Sequence, residues 1–167
     1  SFIYSILVEY SLYSIFFFIV VSILLYLAYY DLLKMEVHNI LSLSLLLGLC
    51  LINLYFFYTN GFAFEQMLGK YIFSPLNNLQ GGILLGIIFQ LIVLVSKEKA
   101  LGQGDVRIAL IVGLLVGFNN IIPWLYITVF SAIIYSVFLG IKVHKFRGLK
   151  IPFVPFMIFG VLVTVLL

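Results

Sequence analysis

A chain of 167 residues that is 65% apolar, 17% aromatic and only 9% charged, with a mean hydropathy of +1.27, is not a soluble domain. Its net charge of +3 is too small to signal nucleic acid binding, and the single cysteine, Cys50, excludes an internal disulfide or a multi-cysteine zinc module. The composition is that of an integral membrane protein, and an all-α one: the apolar runs are too continuous for barrel strands, and backbone in lipid must satisfy its own hydrogen bonds.

Six apolar runs approach the 17 to 25 residues needed to cross a bilayer core. The first, Leu12–Tyr30, has spanning length but no basic leader or small-residue cleavage site, so it is not expected to be a cleavable signal peptide. Asp31 closes it, followed by a short turn with Lys34, Glu36 and His38. Lys34 and Glu36 read as solvated groups there, and His38 as a turn residue. The second run is Ile40–Phe57. The aromatic-rich stretch Tyr58–Asn78, with Phe62, Phe64, Glu65, Met67, Leu68, Lys70, Tyr71 and Phe73, suggests an interfacial helix or a loop. The third run, Leu79–Val95, has Gly81 and Gly82 in its first turn and carries Gln90 as a potential interhelical hydrogen-bond donor.

Leu101, Gly102, Gln103 and Gly104 then lead into Asp105, which opens the fourth run, Val106–Ile121; Arg107, two residues on, is expected to face elsewhere. Phe118, Asn119, Asn120 and Pro123 separate it from the fifth, Ile122–Ile141, where Trp124 reads as an interfacial anchor. The sixth is Ile151–Leu167. No repeat or linker divides the chain, so residues 1–167 form one domain. With alternate loops assigned to alternate sides, Lys34, Lys97, Lys99, Arg107, Lys142, Lys145, Arg147 and Lys150 share one side and Lys70 lies alone on the other. The positive-inside rule makes the basic side cytoplasmic and puts both termini outside.

Asp31 and Asp105 are the only aspartates, and this topology brings both to the cytoplasmic boundary. Two carboxylates sharing one site cannot both ionise easily, so one keeps a proton while the other is anionic. An anion can take a proton from water while an acid protonates an amide oxygen, which is peptide hydrolysis without metal or cofactor. Glycines at 102 and 104 let a substrate backbone approach Asp105. A second reading makes both aspartates helix caps, and a third makes them ion or proton sites of a small transporter or channel component. His38 and His144, with no cysteine cluster, do not suggest a metal site.

The stretch Gly102-Gln-Gly-Asp105-Val-Arg107 resembles the GxGD signature of the type 4 prepilin peptidases and archaeal preflagellin peptidases. Asp31 to Asn39, DLLKMEVHN, is similar to that family's aspartate, basic turn and Pro-Asn signal, with His38 where proline usually stands. Gly81-Gly82 and the Ile151-Pro-Phe-Val-Pro-Phe156 opening of the last run also resemble it. The resemblance implies a membrane aspartyl endopeptidase that removes short basic leaders from pilin-like or archaellin precursors, with Asp31 and Asp105 as the catalytic pair. The chain lacks the paired-cysteine module associated with methyl transfer, so peptidase activity alone is expected. Tyr30-Asp31 and Leu101 to Asp105 also resemble presenilin and signal-peptide-peptidase motifs, but here two apolar runs separate the aspartates and no PAL triplet follows.

Overall fold

Val20, Leu24 and Leu27 recur at helical spacing in the first apolar run, and in a computed structural model of the chain they form the buried stripe of α1 (Phe2–Lys34). The structure describes residues 2–60, 66–68, 71–98, 101–143 and 151–166. Asp31 is the next position on that stripe, so the helix itself turns its carboxylate into the bundle. The helix stops at Met35, whose φ of 53° is left-handed and whose N–H donates to the Asp31 carbonyl at 2.8 Å.

The other α-helices among the described residues are α2 (Asn39–Asn60), α3 (Pro75–Ser96), α4 (Gln103–Val116), α5 (Ile121–Val143) and α6 (Val154–Leu166). Among the described residues, three segments are long and apolar enough to cross a membrane: Asn39–Thr59, Pro75–Ser96 and Phe118–Val143. Their outer faces are apolar, with Leu47, Leu51, Ile87, Leu94, Phe130 and Phe138 all exposed, the reverse of a soluble surface. The fourth run differs from its expected form. At 14 residues α4 is about 21 Å long, shorter than a bilayer core of about 30 Å. It compensates by position: Ile108, Ala109, Ile111, Val112 and Val116 are fully enclosed, and α4 packs against α2, α3 and α6.

Glycine makes this possible. A Cβ on Gly81 would lie 2.6 Å from the Gly113 carbonyl oxygen, and one on Gly113 would collide with the Gly81 backbone. Gly82 meets Leu114, and Gly86 meets Leu110, so α3 and α4 run antiparallel with their backbones nearly touching. Gly117, at φ 74°, breaks the helix before a 3-10 turn over Phe118–Asn120, and Asn77 in α3 accepts the Asn119 N–H at 3.1 Å. The break expected from Phe118 to Pro123 is therefore present, set by a glycine just ahead of it.

Two local expectations are corrected. Residues 66–68 and 71–73 form a two-stranded antiparallel ladder, β1 and β2, with Leu68 opposite Tyr71, so no interfacial helix occupies those positions. Tyr71, Ile72 and Phe73 are residue types that favour an extended backbone. Phe62, Phe64, Glu65 and Lys70 lie outside the described residues, as do Lys99, His144, Lys145, Arg147 and Lys150. Trp124 is not an interfacial anchor: it is 1% exposed, between α5 and α6, and its Nε1 donates to the Met157 carbonyl at 3.0 Å.

The helix contact makes a test. Gly113→Val should lower the thermal midpoint in detergent by the equivalent of about 1–3 kcal/mol or more, the usual cost of overpacking. Gly48→Ala, where a Cβ would meet nothing within 4 Å, should leave it unchanged. Equal midpoints for the two variants would contradict the close approach of α3 and α4.

Candidate active site

Antiparallel pairing brings the ends of α1 and α3 and the starts of α2, α4 and α6 together at one end of the bundle. A Cβ on Gly104 would lie 2.7 Å from Val37 Cγ2, so the valine sits directly on the glycine and fastens the α1–α2 turn onto the first turn of α4. Asp31 and Asp105 are thereby brought to one cavity of about 320 Å³, lined also by Met35, Glu36, Val37, Asn39, Gly102 and Gly104. Every site residue singled out in the sequence lines it. The space over Gly104 is taken by Val37, whereas Gly102 stays open, its nearest neighbour being the Asp105 carboxylate.

Each aspartate also meets a helix N-terminus. Asp105 is the third residue of α4, and its Oδ2 accepts the N–H of Gly102, the capping residue, at 2.9 Å. Asp31 Oδ2 accepts the N–H of Val154, the first residue of α6, at 3.2 Å from 123 positions away. Capping is therefore real for both side chains, and it uses only one oxygen of each in these contacts.

Burial raises the pKa of both carboxyls. Asp31 is 5% exposed, and its pKa is pushed up to about 6, first by burial and then by the Asp105 charge, against the opposing pull of the Val154 N–H. Burial also lifts Asp105, with the Gly102 N–H pulling the other way. Both carboxyls therefore keep their protons to higher pH than a free aspartate does, and the charge of Asp105 adds to the effect of burial at Asp31.

The surrounding polar residues are partly where the sequence suggested. Lys34 is exposed, with its Nζ 5.1 Å from the Tyr30 ring centroid, and the Asp31 carboxyl feels burial and Asp105 instead. His38 caps α2, its Nδ1 accepting the Leu41 N–H at 3.4 Å while its ring meets Tyr30 edge-on. Glu36 is exposed at the cavity rim. Gln90 makes no hydrogen bond among the described residues and borders an apolar groove between α3 and α4. Arg107, expected to face away from Asp105, is engaged across the interface with α2: its Nη1 donates to Asn39 Oδ1 at 2.7 Å, from the fifth residue of α4 to the first residue of α2. Sequence reasoning missed this contact and the Asp31–Val154 bond because both join segments far apart in the chain.

No curated protein matches the chain. No solved structure matches it either. The profile of the type IV leader peptidase family matches residues 18–137, well over half the chain, a range containing α2 to α4 and both aspartates. With two acidic side chains converging on one cavity inside that matched range, the chain belongs to the type IV leader peptidase family.

Proposed function

We propose that this membrane peptidase is an aspartyl endopeptidase that cuts short basic leaders from pilin-like or archaellin precursors at the cytoplasmic membrane face. The observation that carries the reading is the shared cavity of Asp31 and Asp105. Asp105, ionised, takes a proton from a water molecule whose oxygen attacks the scissile carbonyl carbon, while Asp31 gives its proton to the carbonyl oxygen. The tetrahedral diol then collapses. Asp105 passes its proton to the leaving nitrogen, Asp31 recovers one from a diol hydroxyl, and the C–N bond breaks to an acid and an amine. One water is consumed and both carboxyls return to their starting states. Neither a metal nor an organic cofactor takes part, and no methyl transfer is assigned to these residues.

Lys34, Lys97, Arg107 and Lys142 all stand at the helix ends nearest the cavity, which supports a cytoplasmic active site with both termini outside. The cleaved bond then lies just ahead of the precursor's apolar helix, with the open Gly102 admitting its backbone beside Asp105, while Gly104 serves to let Val37 dock. This is the wrong depth for a presenilin-like cut within the helix.

Asp31→Asn and Asp105→Asn should each reduce cleavage of a type IV prepilin in membranes by about 10²–10⁴-fold, with normal insertion. Mass spectrometry should place the wild-type cut at the leader boundary. Near-normal turnover by either variant, or a cut in mid-helix, would refute this reading. The pH dependence has a definite sign. Activity needs Asp31 protonated, so it should fall as pH rises through about 6, where that group ionises; it needs Asp105 ionised, so it should fall again in acid. A rate that keeps climbing from pH 6 to 9 would contradict the assignment of the proton.

A further inference from the structure

Asn39 lines the cavity together with both aspartates, and nothing in the peptidase reading uses it. Its side chain has a donor end and an acceptor end, and chemistry decides which is which. Arg107 can only donate, so the atom 2.7 Å from its Nη1 has to be the amide oxygen. The Nδ2 group is then turned away from Arg107, and among the described residues it makes no hydrogen bond. The backbone that carries it is held firmly: Val37, two residues earlier, packs on Gly104, and the Asn39 carbonyl accepts the Ser42 hydroxyl at 3.1 Å.

We propose that Asn39, oriented by Arg107, is a substrate-contacting residue whose Nδ2 donates a hydrogen bond to the carbonyl oxygen of the bond being cut. The proposal rests on the peptidase reading and deepens it. A carbonyl oxygen has two lone pairs, so Asn39 can hold one while the acid of the pair addresses the other. A neutral donor suits that place because a charged one would suppress the proton sharing on which the aspartates depend. Arg107 is a positioning residue in this scheme. Its guanidinium stays on the amide oxygen and acts by keeping the amide from flipping. It also explains why a basic side chain two residues after Asp105 does not simply neutralise it: its reach is taken up across the interface with α2.

The decisive variant is Asn39→Asp, which keeps the shape and an oxygen for Arg107 but has no N–H to give. On the full-length protein in detergent, with the same type IV prepilin as substrate, its thermal midpoint should equal or exceed wild type. Its kcat should fall about 10²-fold, the usual effect of removing one such donor, with KM little changed. The loss relative to wild type should persist at every pH at which the introduced carboxylate is ionised and has no proton to give, because an added charge alone would only displace the pH profile. Arg107→Gln should cost less, and in an Asn39→Ala background it should cost nothing further. A near-normal kcat for Asn39→Asp while its new carboxylate is ionised, or a further loss from Arg107→Gln in the Asn39→Ala background, would overturn the proposal. Wild-type protein that cleaves, and stops cleaving as Asp31→Asn, beside a fully active Asn39→Asp, refutes this proposal alone. Wild-type protein that does not cleave refutes the peptidase reading and this proposal with it.

Discussion

A carboxyl group on the buried stripe of α1, 5% exposed and facing a second carboxylate, is the constraint on which the arrangement depends. Such a group is costly to ionise without partners. The structure meets the cost by convergence at one end of the bundle: α6 supplies an N–H to Asp31, α4 supplies the neighbouring Asp105, and the α1–α2 turn closes over both. The Ile151-Pro-Phe segment gains a purpose from this. Pro152 is buried, and α6 begins two residues after it at Val154, whose N–H is the one that donates to Asp31.

The same convergence requires α4 to lie inside the bundle. A helix too short to cross the lipid core has to be sheltered by longer neighbours, and glycines on both sides of the α3–α4 contact let it approach closely enough. Gly82 and Gly86 on α3 repeat at four-residue spacing, which keeps them on one helical face, and Gly113 meets that side of the contact from α4. Packing in mid-bundle thus fixes where the Asp105 turn ends up. Chemistry at the helix end is set by side chains a few turns away.

Much of this was legible in the sequence because hydropathy is additive along a run, and the helices α1, α2, α3 and α5 fall on the expected apolar segments. What was not legible depends on partners. Val106–Ile121 reads as a lipid-exposed span from composition alone, since an apolar residue facing a helix and one facing lipid look the same. Trp124 reads as a boundary residue until the Met157 carbonyl is in place to take its N–H. The aspartates stood out as candidates because acidic residues are few in this chain, and the Gly-Gln-Gly ahead of Asp105 marked a turn there. Asn39 and Arg107 were not, because a polar pair across 68 positions leaves no local signal. Gly104 was legible as a place of close approach, and the partner that approaches it is Val37.

The central claim is that Asp31 and Asp105 share one proton in one cavity, and infrared titration of the protonated carboxyl band in detergent tests it most directly. Wild-type protein should show a carboxyl that ionises near pH 6, and the band should be absent from Asp31→Asn. In Asp105→Asn its midpoint should move down, because the neighbouring negative charge that holds the proton on Asp31 has gone. A midpoint at the ordinary aspartate value in wild type, or one that does not move when Asp105 is neutralised, would contradict the account.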